Sequence, residues 1–377
     1  MVPRELRDGR EDGFEPLESL DPSRIATFSD LLSAMRKTAF GGRQLGEASE
    51  VLQAMTHDAD CMVVATLSGA MTVAKMGTLI CRMIDLGMID VVIATGALIT
   101  HGLSESVGLV HYRHPDGVSD PELYAKGYNR IYDTIEMEAN LNDVEIVVHR
   151  ALSQLDSNQT WSSSTITHEI GRVLDEEYPG DGILKSAYRR GVPVFIPAFT
   201  DSELGLDLSF WAMRRALSEG RVQVADRSHG EAVKDLLQEL PPFNPYQDLQ
   251  RYASCIISAK RTGIFTIGGG VPRNWAQQVA PYIDFMGDRL GLAQQDVPRF
   301  FYGVRLCPEP VNWGGLSGST YAEGMSWGKF VPREEGGQFA EVLADATVVL
   351  PLLLGGLFER TGATPVAKSF SLPALFA

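Results

Sequence analysis

A short segment near the C-terminus brings a carboxylate, an indole and an amine together within seven residues. Residues 314–329 form a loop rich in glycine and serine that carries Glu323, Trp327 and Lys329. A lysine packed behind a tryptophan loses part of its hydration, which lowers the pKa of an ammonium group. The neutral amine can then attack a carbonyl or imine carbon. Composition alone favours the alternative, an ordinary loop in which Lys329 is solvated and Trp327 anchors the core.

Small residues follow four of the predicted strands, where parallel sheets bind ligands. These turns contain Ser68-Gly69, Thr95-Gly96, Thr200-Asp201 and Gly268-Gly269-Gly270. Small residues let the backbone approach a ligand, and the N–H groups that begin a helix can hold a pyrophosphate. Asp201 could hydrogen-bond a ribose or an amide. No turn matches G-x-G-x-x-G, and each alone is explained by tight strand-to-helix packing. Four turns in one sheet favour a nucleotide site.

Other candidate groups are explained more simply by structure than by chemistry. His111 and His114 could pair as ligands, but Tyr112-Arg113 and Pro115-Asp116-Gly117 indicate a surface turn. The acidic residues between 133 and 145, which include Glu136, are most simply the solvated face of a helix. No H-E-x-x-H or P-loop motif is present. The G-x-S-x-G motif is also absent, so a serine hydrolase has little support.

Charge and cysteine usage exclude several classes of partner. The 377 residues include 33 Lys and Arg and 48 Asp and Glu, for a net charge of −15. This charge repels phosphate backbones and anionic headgroups, so we expect no binding to nucleic acid or membranes. Four scattered cysteines argue against a disulfide framework and a structural zinc site, and we expect no metal. No apolar run resembles a signal sequence or reaches the ~18 residues of a membrane span, which favours a cytoplasmic location.

The elements that must position these groups alternate between short apolar strands and helices. Strands are predicted at Cys61–Leu67, Asp90–Ala94, Val192–Ala198, Gly263–Ile267 and Phe300–Leu306. Helices are predicted at Val73–Leu86, Glu203–Ser218 and Trp275–Leu290. This alternation predicts an α/β fold with a mainly parallel sheet flanked by helices. Residues 1–26 are predicted to form an extended arm, followed by an N-terminal helical extension whose two helices are separated at Phe40-Gly41-Gly42.

Several motifs together resemble the deoxyhypusine synthase family. The segment Tyr321–Lys329 is similar to the family's catalytic loop, and residues 342–352 are similar to its C-terminal motif. Residues 193–201, 267–271 and 88–92 also match. The resemblance runs from about Thr27 to Leu357. It implies that residues 27–377 are one Rossmann-like, NAD-binding domain, assembled into a homotetramer with active sites at the dimer interface.

The resemblance also implies a mechanism. NAD would oxidise spermidine beside its secondary amine, 1,3-diaminopropane would leave, and Lys329 would capture the aminobutyl group as an imine. The group would then pass to an acceptor amine, and NADH would reduce the new imine. Trp327 would line the methylene chain and offer a cation–π face to the ammonium groups. The residues expected to contact NAD are Ser68, Gly69, Thr95, Gly96, Asp201, Gly269, Asp345 and Ala346.

The chain departs from the family at the positions that bind the polyamine. Ile99-Thr100 replaces a glutamate pair, with His101 next, and Leu206 replaces an aspartate, with Asp207 one residue along. Leu316 replaces another aspartate, and Asn274 replaces a histidine. Each charge-assisted hydrogen bond contributes roughly 1.5–3 kcal/mol, so losing several without replacement would abolish recognition of a polyamine. Either other carboxylates supply the contacts, or the substrate differs from spermidine.

The resulting hypothesis is a deoxyhypusine synthase-like, NAD-dependent aminoalkyl transferase whose acceptor is a small amine such as putrescine or agmatine. Lys329, Glu323, Trp327 and His101 are the expected catalytic residues, His101 as proton shuttle or else as an ordinary core or surface histidine. Asp207, Asn274, Ser317 and Trp327 are expected to bind substrate. Two alternatives remain: a true deoxyhypusine synthase that modifies a lysine of an initiation-factor-5A-type protein, and a non-catalytic NAD-binding sensor or scaffold.

Overall fold

The computed structural model describes residues 6–224, 228–292, 298–315 and 318–375. Its centre is a parallel sheet of six strands in the order β6-β2-β1-β7-β8-β9. These strands are β1 Cys61–Leu67, β2 Val91–Ala94, β6 Val194–Phe195, β7 Arg261–Ile267, β8 Phe300–Leu306 and β9 Gln338–Val342. A second, antiparallel sheet has the order β3-β5-β4 and contains β3 Tyr112–Arg113, β4 Tyr128–Ile131 and β5 Thr134–Met137.

Helices cover both faces of the large sheet. In chain order they are α1 Phe28–Arg36, α2 Phe40–His57, α3 Gly77–Asp85, α4 Gly96–Ser106, α5 Asp120–Tyr124, α6 Glu138–Leu152, α7 Ser163–Glu177, α8 Ile183–Arg190, α9 Glu203–Ser218, α10 His229–Leu236, α11 Tyr246–Ser258, α12 Gly270–Gln277, α13 Val279–Leu290, α14 Tyr321–Ser326 and α15 Ala346–Thr361. Short 3-10 helices lie at Pro22–Arg24 and Arg333–Glu335. Among the described residues, no helix combines the length and apolar character needed to cross a bilayer.

The central strands are buried on both faces, as their continuous apolar runs predict. Every residue of β1 and β2 is buried. The chain starts at β1, adds β2 and β6 on one side, and then returns to add β7, β8 and β9 on the other. The order of strands therefore reverses between β1 and β7, the switch point at which open α/β sheets form a ligand-binding crevice.

Two apolar clusters, one on each face, hold the helices to the sheet. On one face α1 lies on α15, and a Cβ at Gly356 would sit 2.5 Å from Leu32 Cδ1. Thr27 caps α1 through a capping box with Asp30, and Glu359 of α15 accepts from the backbone N–H of Ser29 at 2.8 Å. Since an N-cap is worth about 1 kcal/mol, these contacts fix where α1 begins.

The mainly parallel sheet is confirmed, and β1, β8 and α9 have the predicted bounds. The predicted helix Trp275–Leu290 is instead two helices joined at Gln278. The predicted break at Phe40-Gly41-Gly42 is wrong: α2 begins at Phe40, and the break occupies residues 37–39. The third predicted strand shortens to Val194–Phe195 because prolines at 193 and 197 cannot donate to a ladder.

Candidate functional site

Three predicted turns meet at the carboxyl edge of the sheet. The N–H of Ser68 donates to Ile267 O at 3.0 Å, and the N–H of Thr95 donates to Leu67 O at 3.1 Å. The Thr95 hydroxyl donates to Gly69 O at 2.6 Å, and the Ser68 hydroxyl donates to Gly269 O. The ends of β2, β1 and β7 are therefore joined into one continuous surface at the switch point.

Glycine conformation leaves open space on this surface. Gly69 has a φ of +68° and Gly270 a φ of +58°, and a Cβ at either position would meet nothing within 4 Å. Gly270 is also the first residue of α12, whose N–H groups follow directly. Positive φ favours glycine, and the missing side chains let a pyrophosphate approach the backbone. We call this surface, formed by residues 68–69, 95–96 and 268–270, the cradle.

Asp201 lies beside the cradle, and Asp345 follows the edge strand β9. The turn that carries Asp201 packs so closely on Gly96 that any Cβ there would overlap Ser202. Asp345 follows β9 and caps α15, accepting from the Thr347 N–H at 2.7 Å and the Thr347 hydroxyl at 2.6 Å. These two hydrogen bonds hold the pKa of Asp345 below its usual range. Its carboxylate is thus ionised and fixed in place, with Ala346 beginning the helix.

Lys329 is a desolvated amine. Only 9% of the residue is exposed, and its Nζ lies 6.0 Å from the centre of the Trp327 ring, which itself remains 63% exposed. Burial lowers the pKa of Lys329, and the nearby Arg273 guanidinium lowers it further, whereas Glu323 opposes the shift. The description of Lys329 as a solvated surface lysine therefore does not fit this environment.

The loop that holds Lys329 is anchored to the sheet by aromatic packing. Tyr321 of α14 stacks on Phe339 of β9 with ring centres 4.8 Å apart, and a Cβ at Gly303 would lie 2.6 Å from Tyr321 Cε1. The Lys329 N–H donates to Gly324 O at 3.0 Å, which closes the end of α14. The position of the amine thus depends on a glycine in β8 that admits the tyrosine.

Lys329 and the cradle of the same chain start from opposite edges of the sheet. The Lys329 carbonyl accepts from the N–H of Phe300, the first residue of β8, at 3.0 Å. The cradle lies beyond the last residues of the strands, and the seven residues of β8 span about 20 Å. A lysine side chain covers only a fraction of that distance.

His101 lies on α4, which begins at the cradle. Its Nδ1 is 3.1 Å from Oε2 of Glu136, and Asn140 donates to Oε1 of the same carboxylate at 2.9 Å. Burial alone would raise the pKa of Glu136, but hydrogen bonds from His101, His111 and Asn140 lower it to about 2. Glu136 is fully buried on β5, so the interpretation as a solvated helix face is wrong for this residue. It holds for Glu138 and Asp143, which lie exposed on α6. The surface-turn interpretation of His111 is also wrong, because its side chain is buried against Glu136.

The predicted substrate-binding residues that the structure describes differ in their exposure. Asp207 is 2% exposed on α9, where burial and the charges of Glu203 and Glu145 raise its pKa to about 7. Asn274 and Leu206 are exposed, whereas Ile99 and Thr100 are buried. Leu316 and Ser317 lie outside the described residues.

Sequence reasoning named His111 and Glu136 but did not connect them with His101, and it missed Lys75, which contacts His111. Lys75 has a φ of +63°, unusual for a residue other than glycine, and its Nζ is 2.8 Å from His111 Nδ1. The partners of this cluster are separated by 25 to 36 residues. The only local signal was His111 itself.

Comparison with known proteins agrees with the geometry. The family model of deoxyhypusine synthase matches residues 30–357. The protein named probable deoxyhypusine synthase 2 of Methanosarcina acetivorans is 31% identical over 88% of this chain and 87% of its own length. A deoxyhypusine synthase-like protein of Elusimicrobium minutum is 29% identical over 93% of this chain and 86% of its own length.

A solved structure shares the fold. A crystal structure from Entamoeba histolytica that is named as a deoxyhypusine synthase superposes with a TM-score of 0.55 at 14% identity, covering 93% of this chain and 99% of that one. That level of identity supports the fold alone. The family model extends from α1 to α15 and contains the cradle, Asp345 and the Lys329 loop. The chain belongs to the deoxyhypusine synthase family.

Proposed function

We propose that this protein transfers an aminobutyl group from a polyamine such as spermidine to an acceptor amine, through an imine on Lys329 and with NAD as the oxidant. The observation that carries the proposal is the environment of Lys329. A buried amine with a lowered pKa is the group that imine exchange requires, and its retention argues against a sensor or scaffold.

The cradle fits a dinucleotide. Gly69 and Gly270 leave space where side chains would block a pyrophosphate, and the first N–H groups of α12 face the same edge of the sheet. Ser68, Thr95 and Asp201 would hold the remainder of the cofactor, with Asp345 and Ala346 at its other end. When bound, NAD accepts a hydride from the carbon beside the secondary amine and later returns it.

In this proposal, side chains of the protein bind the substrate amines and transfer protons to and from them. Lys329 would attack the oxidised carbon because burial lowers its pKa and so increases the fraction of neutral amine, and the ring of Trp327 packs along the methylene chain of the substrate. His101 takes and returns the proton of the reacting amine at Nε2. Glu323, exposed beside Lys329, supplies a carboxylate for a substrate ammonium group.

Two copies of the chain form each active site in this proposal. Lys329 and the cradle begin at opposite edges of one sheet, and Trp327 is left 63% exposed beside the amine. An exposed aromatic next to a buried nucleophile is explained if a second copy covers it and contributes its own cradle. A dimer provides this arrangement twice by symmetry, and a tetramer built from two dimers repeats it in each dimer.

The proposed acceptor is a small amine such as putrescine or agmatine. Positions that bind the polyamine with charge in the family carry no charge here: Leu206 and Asn274 are exposed, and Ile99 and Thr100 are buried. Asp207, one residue along from Leu206, is buried with a pKa raised to about 7. A substrate site with fewer charges suits a smaller or differently charged partner, because each missing ion pair removes specificity for a long polyamine.

The test is covalent trapping. The protein is incubated with NAD and spermidine labelled in its aminobutyl part, treated with borohydride, and digested for peptide mapping. We expect the label on Lys329 only. Lys185 is the internal control, since it is equally buried but its Nζ donates to Gly180 O at 3.1 Å and to Tyr178 O. Label on Lys185, or none on Lys329 with any polyamine, contradicts the proposal.

The acceptor is identified in the same reaction. Mass spectrometry of products formed with putrescine, agmatine and a purified initiation-factor-5A-type protein distinguishes the outcomes. Homospermidine or an aminobutyl-agmatine supports the small-amine acceptor. A mass increase on the protein lysine alone identifies a true deoxyhypusine synthase instead.

A further inference from the structure

Glu136 is a buried carboxylate with four hydrogen-bond donors around it. His101 Nδ1 and His111 Nε2 lie 3.1 and 2.5 Å from its Oε2. Asn140 Nδ2 and Ser104 Oγ lie 2.9 and 3.3 Å from its Oε1. Burial of a charge is tolerated when its hydrogen bonds are satisfied, and this carboxylate has donors on both oxygens.

These contacts determine which ring nitrogens carry protons. An ionised carboxylate only accepts, so the nitrogen of His101 that faces it at 3.1 Å must donate. The 2.5 Å approach of His111 Nε2 is too short for two unprotonated atoms. On the far side of the His111 ring, Lys75 Nζ lies 2.8 Å from Nδ1, and an ammonium group only donates. Nδ1 of His111 is therefore the acceptor in this contact.

Lys75 is itself held in place for this contact. It sits in the turn between β1 and α3 with a φ of +63°, and its Nζ also donates to Glu105 Oε1 of α4 at 2.6 Å. A non-glycine residue keeps such a conformation only where its surroundings enforce it. The turn that begins at Ser68 in the cradle thus ends in the lysine that fixes His111.

We propose that Glu136, supported by His111 and Lys75, is a positioning residue that holds His101 in the tautomer whose Nε2 is free to accept a proton. This inference rests on the proposed function, in which His101 exchanges a proton with the substrate amine. With Nδ1–H committed to the carboxylate, the lone pair of His101 lies on Nε2, and the nearby negative charge stabilises the imidazolium that forms.

The same three residues could instead hold a divalent metal, since their ligand atoms lie within 4.8 Å of one another. Coordination through His111 Nε2 would displace its proton to Nδ1. That N–H would then face the Lys75 ammonium, so two donors would oppose each other across the 2.8 Å contact. The hydrogen-bond arrangement favours protons at this site.

Neutron diffraction from perdeuterated crystals of the full chain tests the arrangement without any assay of activity. Near pH 8 we expect deuterium on Nδ1 of His101 and on Nε2 of His111, and none on Nε2 of His101. Deuterium on Nε2 of His101 overturns the proposal. So does a metal ion among His101, His111 and Glu136 in crystals grown with zinc or cobalt chloride.

Kinetics of variants test the consequence for the reaction. Glu136→Gln should lower kcat by about 100-fold or more and leave KM within about threefold, because a misdirected base fails at proton transfer and not at binding. Glu138→Gln, a change at an exposed glutamate two residues along, is the matched control and should behave as the unchanged protein. Lys75→Met, at a half-exposed side chain, tests the same network if Glu136→Gln does not fold, and should lower kcat by about tenfold.

The two proposals fail in different ways. If the unchanged protein transfers aminobutyl groups and a folded Glu136→Gln variant keeps its kcat, the positioning role is wrong and the proposed function stands. If the unchanged protein transfers nothing to any acceptor, the proposed function is wrong, and with it the role of His101 as a catalytic base.

Discussion

The proposed sharing of each active site between two chains makes a quantitative prediction about mixtures of two inactive variants. Lys329→Ala removes the nucleophile and leaves the cradle intact. Gly69→Asp places a carboxylate at a position where a Cβ would meet only open space, and so repels a pyrophosphate while Lys329 is untouched. Each variant alone should be inactive, because every site in a symmetric assembly carries its defect.

Co-expression of the two variants should restore activity. At equal amounts and with random pairing, half of the dimers contain one chain of each kind. Such a dimer has one site with both defects and one site with neither, so about one quarter of all sites are intact. The prediction follows because the backbone of Lys329 lies beside Phe300 at the first residue of β8, whereas the cradle lies beyond the last residues of the strands.

The assay uses two affinity tags, one on each variant, and measures labelled product per chain before and after selection for both tags. We expect about one quarter of the unchanged activity in the unselected mixture and about one half after selection for mixed dimers. Activity that stays at the level of the single variants would show that each chain forms its site alone. That result would refute the composite site while leaving the chemistry of Lys329 open to its own test.

Three further predictions follow from individual side chains. Glu323→Gln removes a charge that raises the pKa of Lys329, so borohydride trapping should reach half its maximum at a lower pH than in the unchanged protein; a shift to higher pH contradicts this. Folding raises the pKa of Asp207 from 3.8 to about 7, so its contribution to stability falls as pH rises from about 4 to 7. Asp207→Asn should therefore gain about 3–4 kcal/mol relative to the unchanged protein between those pH values in urea unfolding, and equal slopes with pH would refute it. Gly303→Ala should lower the unfolding free energy by about 1–3 kcal/mol and reduce trapping at Lys329, because its Cβ would lie 2.6 Å from Tyr321 Cε1; normal trapping would show that α14 tolerates the shift.

Much of the central sheet could be predicted because its signals are local. β1 and β8 are runs of apolar residues bounded by small or polar ones, and their observed ends match the predicted ends. The small antiparallel sheet gave no such signal, since β4 is exposed over most of its length and lacks alternation. The helix Trp275–Leu290 looked continuous because its apolar spacing continues through the joint at Gln278.

The candidate site also contains parts that could be predicted from local sequence and parts that could not. The glycine turns and the Lys329 loop are contiguous segments, so their residue types and spacing could be recognised. Glu136 could not, because its burial is produced by His101 and His111, which lie 35 and 25 residues earlier in the chain. Acidic residues near one another usually indicate a solvated face, and only tertiary contacts distinguish the one that is buried.

The fold also explains why the nucleophile and the oxidant would be kept apart in a single chain. Lys329 depends on packing at the amino end of β8, where Phe330 and Phe300 lie 5.8 Å apart between ring centres. The cradle depends on the carboxyl ends of β1, β2 and β7, which only a parallel sheet brings together. In the proposed dimer, the amino edge of one sheet would face the carboxyl edge of the other, so that the two requirements are met twice. The desolvated lysine beside an exposed tryptophan would then be half of a site whose lysine is already buried within its own chain.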